Sequence, residues 1–209
     1  MHVFCSEKFN ISLFLNMNDF TDLLNITYNN IHPQKGKILI SQPLMSDGCF
    51  RRSVVLLTDY SPNGAIGFIL NKWLQISLDD VMEDSPSDSQ LSIGGPVAAN
   101  TLHYLHTFGN IPDVIEIVNG IYWGGDFATI RKYLSLSVMK PEDIRFFLGY
   151  SGWTGGQLDG ELKSDSWLVG DLPASQILRP SRDLWHDSVN SMGDEYKQWA
   201  NFPENPILN

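Results

Sequence analysis

A chain of 209 residues, 43% hydrophobic and 18% charged, has ordinary globular composition and enough length for a sizeable core, which excludes disorder as its ground state. Twenty-four acidic side chains against fourteen basic ones give a formal charge of −10, the wrong sign for neutralising nucleic-acid phosphates. No uninterrupted apolar run approaches the ~20 residues of a membrane helix, and Cys5 and Cys49 form neither a C-x-x-C pair nor a disulfide scaffold, so a reducing cytoplasmic setting is expected.

In chain order, Ile11, Leu13, Phe14 and Leu15 are interrupted by polar residues and follow no basic leader, so they do not read as a signal peptide. Met17 opens a second plausible start, which marks 1–16 as a dispensable extension and 17–209 as a single globular domain. Asp19 or Thr21 can cap a short segment at 20–26, and residues 29–37 are rich in turn formers. Residues 38–40 read as a strand that Pro43 ends. Residues 53–58 are apolar and β-branched, a central strand that turns at Ser61-Pro62-Asn63-Gly64 and returns as 65–70. Arg51 and Arg52 read as a solvated entry to that hairpin.

The acidic stretch 79–90 invites a metal, yet it has neither the ligand spacing nor the glycine of a calcium loop, and it reads as a helix end running into a loop. Residues 91–97 read as a strand entering a tight turn at Gly94-Gly95-Pro96. His103 and His106 would share a helical face, but on a strand they point to opposite faces; the extended reading fits the surrounding pattern, and no metal is expected. Residues 114–118 and 121–123 flank Asn119-Gly120, a hairpin with a type I′ turn. Asp126 caps a helix whose apolar positions are Phe127, Ile130 and Leu134. Near the end, 173–178 reads as a short helix, and Trp185, Val189, Met192, Tyr196 and Trp199 recur at helical spacing as a core-facing stripe.

The chain is organised around residues 145–169. Phe146, Phe147, Leu148 and Tyr150 form a strand, and residues 151–157 a glycine-rich turn. Thr154 caps the following helix of two or three turns, which carries Leu158 and Leu162 on one face, and a final strand spans 166–169. Gly149-Tyr150-Ser151-Gly152-Trp153 nearly repeats the G-x-S-x-G elbow that exposes a serine nucleophile, with Trp in the fifth place, and His186 or His106 would have to act as base. Free backbone N–H groups at the helix start offer a second reading, an anion or polar-ligand site. The plain alternative is that the glycines allow close packing while Trp153 and Trp167 fill core.

Gly36-Lys37-Ile-Leu-Ile with Pro43, Phe50-Arg-Arg-Ser-Val-Val-Leu-Leu57, Gly67-Phe-Ile-Leu-Asn-Lys72, Gly94-Gly-Pro-Val97, Leu105-His106, Tyr122-Trp-Gly-Gly-Asp126 and Arg145-Phe-Phe-Leu-Gly-Tyr-Ser-Gly-Trp153 occur in one order with Gly156-Gln-Leu158, Glu161-Leu162 and Trp167. Together they resemble the bacterial YqgE/AlgH family over about residues 36 to 170. The resemblance implies an α+β domain with a mixed, partly barrel-like β-sheet and flanking short helices. It implies no settled activity, although such proteins are often labelled transcriptional regulators. The chain departs from the family pattern at Trp73, where Pro is common, and at Ser151, where Ala is common; the second departure weakens the nucleophile reading.

The combined expectation is a non-enzymatic binding or regulatory domain without metal or cofactor, acting through a protein or small ligand. Its candidate surface is Ser151, Gly152, Trp153, Thr154, Gly155, Gly156 and Gln157 beside Gly94 and Gly95, with no catalytic residue assigned. A Ser151 hydrolase and a direct DNA-binding regulator are the alternatives.

Overall fold

A computed structural model describes residues 29–83, 85 and 87–202. The expected extension 1–16 and the segment 20–26 lie outside them. Ten strands form the body: β1 Ile38–Ser41, β2 Val54–Ser61, β3 Gly64–Ile69, β4 Trp73–Ser77, β5 Gln90–Ile93, β6 Val97–His106, β7 Val114–Val118, β8 Ile121–Gly124, β9 Ile144–Thr154 and β10 Trp167–Gly170. They hydrogen-bond in the order β10-β1-β2-β3-β9-β6-β8-β7, with β5 also attached to β9 and β4 attached to β5. Every pairing is antiparallel except β5 with β9, so the sheet is mixed, and it curls into a half-barrel.

Short helices cover the sheet: α1 Leu78–Val81, α2 Phe127–Ser135, α3 Gln157–Lys163, α4 Ala174–Leu178, α5 Leu184–Ser191 and α6 Lys197–Ala200. The α+β expectation holds. β2 shows why its sequence is uniformly apolar and not alternating. Val54 and Leu56 enter the inner core with α4–α6, while Val55 and Leu57 enter the outer core beneath α3, so both faces are buried. A third cluster places Ile130 and Leu134 of α2 against Phe146 of β9.

Local chemistry explains most of the elements. Asp126 accepts from the Thr129 N–H at 2.9 Å and caps α2 as its sequence indicates. The β7–β8 hairpin also forms, but its turn is not type I′: Gly120 lies at φ +75° while Asn119 stays at negative φ, and the register shifts between Glu116 and Val118. A bulge thus replaces the two left-handed residues that a type I′ turn requires.

The aromatic stripe is buried at Trp185, Val189, Tyr196 and Trp199, yet it is not one helix. Gly193 at φ +135° separates α5 from a 3₁₀ turn at Asp194–Tyr196 and from α6. Trp185 Nε1 donates to the Ser41 carbonyl at 2.9 Å, which fixes α5 on β1. Arg52 corrects another expectation: it is not a solvated strand entry. Its guanidinium lies 4.9 Å from the Trp185 ring centroid and donates to the Phe202 carbonyl. At the β10 edge, the Asn29 amide donates to Val169 O and accepts from Val169 N, so a side chain completes the ladder there.

Candidate functional site

β9 organises the site. β6 runs along one of its edges, while β5 and then β3 share the other: Ser92 and Ile93 pair with Phe147 and Leu148, and residues 64–67 pair with 151–154. Gly149, at φ +65°, sits where one partner gives way to the next. Phe147 and Tyr150 both face the inner core although they are three residues apart, so the inward–outward alternation changes phase at this glycine. A Cβ at Gly149 would meet the carbonyl oxygens of Gly95 and Val97 at 2.7 and 2.8 Å, so backbone approach requires glycine here.

The expected turn at 151–157 is shorter than its composition suggests. Ser151, Gly152, Trp153 and Thr154 belong to β9, and the chain turns only at Gly155 and Gly156. Thr154 is not the helix cap: Gly156, at φ +75°, holds that position. The N–H and hydroxyl of Thr154 donate instead to Gln157 Oε1 at 3.0 and 3.2 Å. Gly155 packs on the Pro62 carbonyl, where a Cβ would come within 2.6 Å. The helix is two turns long, within the two or three expected, and its first turn carries Asp159, whose carboxylate opposes an anion at the positive end of the dipole.

Gly94 and Gly95 do lie beside this stretch, but both are buried and face the chain's own backbone. A Cβ on Gly94 would fall 2.2 Å from Gly149 O, and one on Gly95 2.3 Å from Tyr150 O. The Gly94 N–H donates to Leu148 O at 2.8 Å. The pair therefore lets β5 cross over to β6 in close contact with β9. Ser151 is fully buried, and its hydroxyl donates to Gly94 O at 3.0 Å. His106 pairs with Ile144, seven residues back along β9, roughly 23 Å from Ser151 at about 3.3 Å per residue. His186 lies on α5, next to Trp185. Neither histidine stands as a base for Ser151.

The two histidines of β6 face opposite ways, as an extended chain requires. His103 lies among Phe68, Trp123 and Tyr150, and His106 lies between Tyr104 and Tyr122. His106 Nε2 is 2.8 Å from Gly124 O, and Nδ1 accepts from the Phe108 N–H at 3.2 Å. These partners specify the neutral tautomer protonated on Nε2. Burial pushes both imidazoles below their usual range, with the Gly124 contact opposing the shift at His106. Among the described residues no group of three or more His, Cys, Asp or Glu side chains is placed to hold a metal.

Sequence reasoning passed over two polar centres. Arg145 is buried at the start of β9 and donates to Ser92 Oγ at 2.8 and 3.1 Å, Leu70 O at 2.6 Å and Ile177 O at 3.2 Å. The guanidinium faces Phe147 and Trp73 at 5.0 and 5.5 Å, and burial pulls its pKa down to about 9. All those partners are neutral, and they tie β5, α4 and the residue that follows β3 to one side chain. The only signal in the sequence is a cation leading an apolar strand. Glu161 is the second centre: its Oε2 accepts from Trp153 Nε1 at 2.9 Å and Trp167 Nε1 at 2.8 Å, which clamps α3 onto β9 and β10. Both tryptophans are buried, the role expected of core residues.

Beside the expected surface lies a shallow cleft of about 410 Å³ at the tip of the β2–β3 hairpin; a larger one of about 630 Å³, between the acidic 79–88 stretch and the end of α2, touches none of the expected residues. Gly152, Trp153 and Thr154 of the expected surface line it, together with Tyr150, Ile66, Val97 and Asp59. Cross-strand pairing explains the grouping. Asp59 is opposite Ile66, Ile66 is opposite Gly152, and Val97 is opposite Tyr150, so residues from four strands share one face.

The family model described as DUF179: AlgH-like matches residues 38–197. The chain belongs to the AlgH-like family. A UPF0301 protein of Bacteroides thetaiotaomicron is 41% identical over 196 residues, covering 92% of this chain and all of that protein. A UPF0301 protein of Bacteroides fragilis is 40% identical with the same coverage. Two solved structures share the fold at 24% identity: a Corynebacterium diphtheriae protein, with TM-score 0.69 over 87% of this chain and 98% of that one, and AlgH of Pseudomonas aeruginosa, with TM-score 0.59 over 69% and 80%. The AlgH-like chain has, among its described residues, no helix long and apolar enough to cross a membrane.

Proposed function

We propose that this AlgH-like protein is a cytoplasmic, non-enzymatic binding module that acts through a small ligand or protein seated in the cleft beside Tyr150, Gly152, Trp153 and Thr154. The observation that carries the reading is the division of the expected surface. Gly94, Gly95 and Ser151 are consumed by packing, while Tyr150, Gly152, Trp153 and Thr154 border a space of about 410 Å³. Concave sites with an apolar wall and a few polar groups are where small ligands bind. A buried serine hydroxyl committed to a carbonyl does not supply a nucleophile. The formal charge of −10 favours a partner other than nucleic acid, so a regulatory role would be exercised indirectly. The unit that acts is taken to be residues 17–209.

The test compares the native chain with Val97→Trp, which places an indole at the cleft rim from a side chain that is already 36% exposed. Both are purified from their own lysate and examined by native mass spectrometry, with circular dichroism as the check on folding. The expected result is a retained molecule on the native chain that disappears from the variant. Equal retention by both proteins would sink the assignment of the cleft.

A further inference from the structure

The cleft has a chemistry that narrows its occupant. Asp59 brings a carboxylate to it, and among the described residues no lysine or arginine lines it. The hydrogen bonds of the adjoining turn run among Ser61, Asn63 and Gly64 and do not involve that carboxylate. Ile66 forms the middle of the floor, one strand from Asp59 and one strand from Gly152, so the floor spans roughly 10 Å at about 4.8 Å per strand. The Tyr150 ring lies beside Gly152, its edge 3.1 Å from where a Cβ would stand, and Val97 faces it from β6. Behind that ring His103 makes an edge contact at 5.7 Å, and burial keeps its imidazole toward the neutral form, so it does not compete as a cation there. An acid at one end, an apolar floor and an aromatic wall match a ligand with a hydrocarbon stem and a cationic head.

We propose that the cleft takes an organic cation, an alkylguanidinium or alkylammonium group whose stem lies over Ile66 against Tyr150 and whose charged end pairs with Asp59. The inference rests on the reading of the cleft as the binding site. The same chemistry is offered by a free amine or guanidine and by an arginine or lysine side chain of a peptide.

Two matched pairs of probes separate these sources: butylguanidinium with its neutral isostere butylurea, and acetyl-Gly-Arg-Gly-amide with its citrulline counterpart. Binding is followed by amide chemical shifts of the ¹⁵N-labelled chain. The cationic member of a pair is expected to shift Gly64, Ile66 and Gly152, and added salt should weaken it. Asp59→Asn should lower its affinity about tenfold, the scale of one charge-assisted hydrogen bond. Tighter binding of the arginine peptide than of butylguanidinium assigns the site to a side chain, and the reverse assigns it to a free molecule. Equal binding of the neutral isosteres, an unchanged affinity in Asp59→Asn, or no shift with either cation would overturn the cation. Neutral isosteres that shift the same amides would still leave the cleft itself in place, and the Val97→Trp comparison judges the cleft independently.

Discussion

The two halves of β9 share one strand and one run of sequence, yet they answer to different constraints. Before Gly149 the strand is covered on both faces, with Phe147 in the inner core and Phe146 in the third cluster under α2, and Arg145 binds three other segments. After Gly149 the outer face is still sealed, by Trp153 under α3, but the inner face ends at Tyr150 and Gly152 beside the cleft. The lesson is that coverage, not composition, separates structural residues from available ones. Both halves contain aromatics, and only the second leaves any of them beside open space.

The sharpest way to break this comparison is to remove the polar centre of the first half. Arg145→Ala would strand the Leu70 and Ile177 carbonyls and open a cavity, so urea denaturation should show a loss of about 3–5 kcal/mol. A loss below about 1 kcal/mol would mean that the buried charge is a burden its contacts barely offset.

Alanine at two glycines of the same strand probes the boundary itself. Gly149→Ala combines a left-handed backbone with contacts below 3 Å to two carbonyls, and should cost about 2–4 kcal/mol. Gly152→Ala meets only the edge of a partly exposed tyrosine ring at 3.1 Å, and should cost less than about 1 kcal/mol. Equal costs at the two positions would erase the distinction drawn between the halves.

The smallest effect expected is one of pH. Burial lowers the His106 pKa in the folded chain below its ordinary value of 6.5. Above pH 6.5 the imidazole is neutral in both states and its contribution is fully present. As the pH falls from there through the folded-state pKa, the unfolded chain takes up the proton first, so stability is lost. The denaturation midpoint should therefore drop on acidification from pH 7, and His106→Asn should flatten that part of the slope. His103 shifts in the same direction and adds to the fall, so the variant should retain part of it.

Much of the fold was legible because its strongest signals are local. The apolar run of β2, the Asp126 cap and the glycine-flanked hairpin of β7 and β8 each depend on neighbours within a few residues. β4 was not legible: Trp73–Ser77 is half-exposed, and its partner β5 begins at Gln90. Ser151 to Thr154 read as a turn because glycine, serine and threonine favour one, but pairing with residues 64–67 of β3 made them strand. The candidate site was half visible. Gly152, Trp153 and Thr154 stood in a motif, whereas Asp59, Ile66 and Val97 meet them only through cross-strand register.

By itself, the sequence determined which stretches must be buried, where the chain must turn, and the family whose pattern it carries, since these follow from side-chain polarity, glycine freedom and the order of motifs. Only the tertiary structure decided that Gly94, Gly95 and Ser151 are consumed by packing while Gly152 borders open space, and that Asp59 lines the same cleft. Those outcomes depend on which distant strands lie side by side, and pairing energy is shared between segments that no local pattern connects.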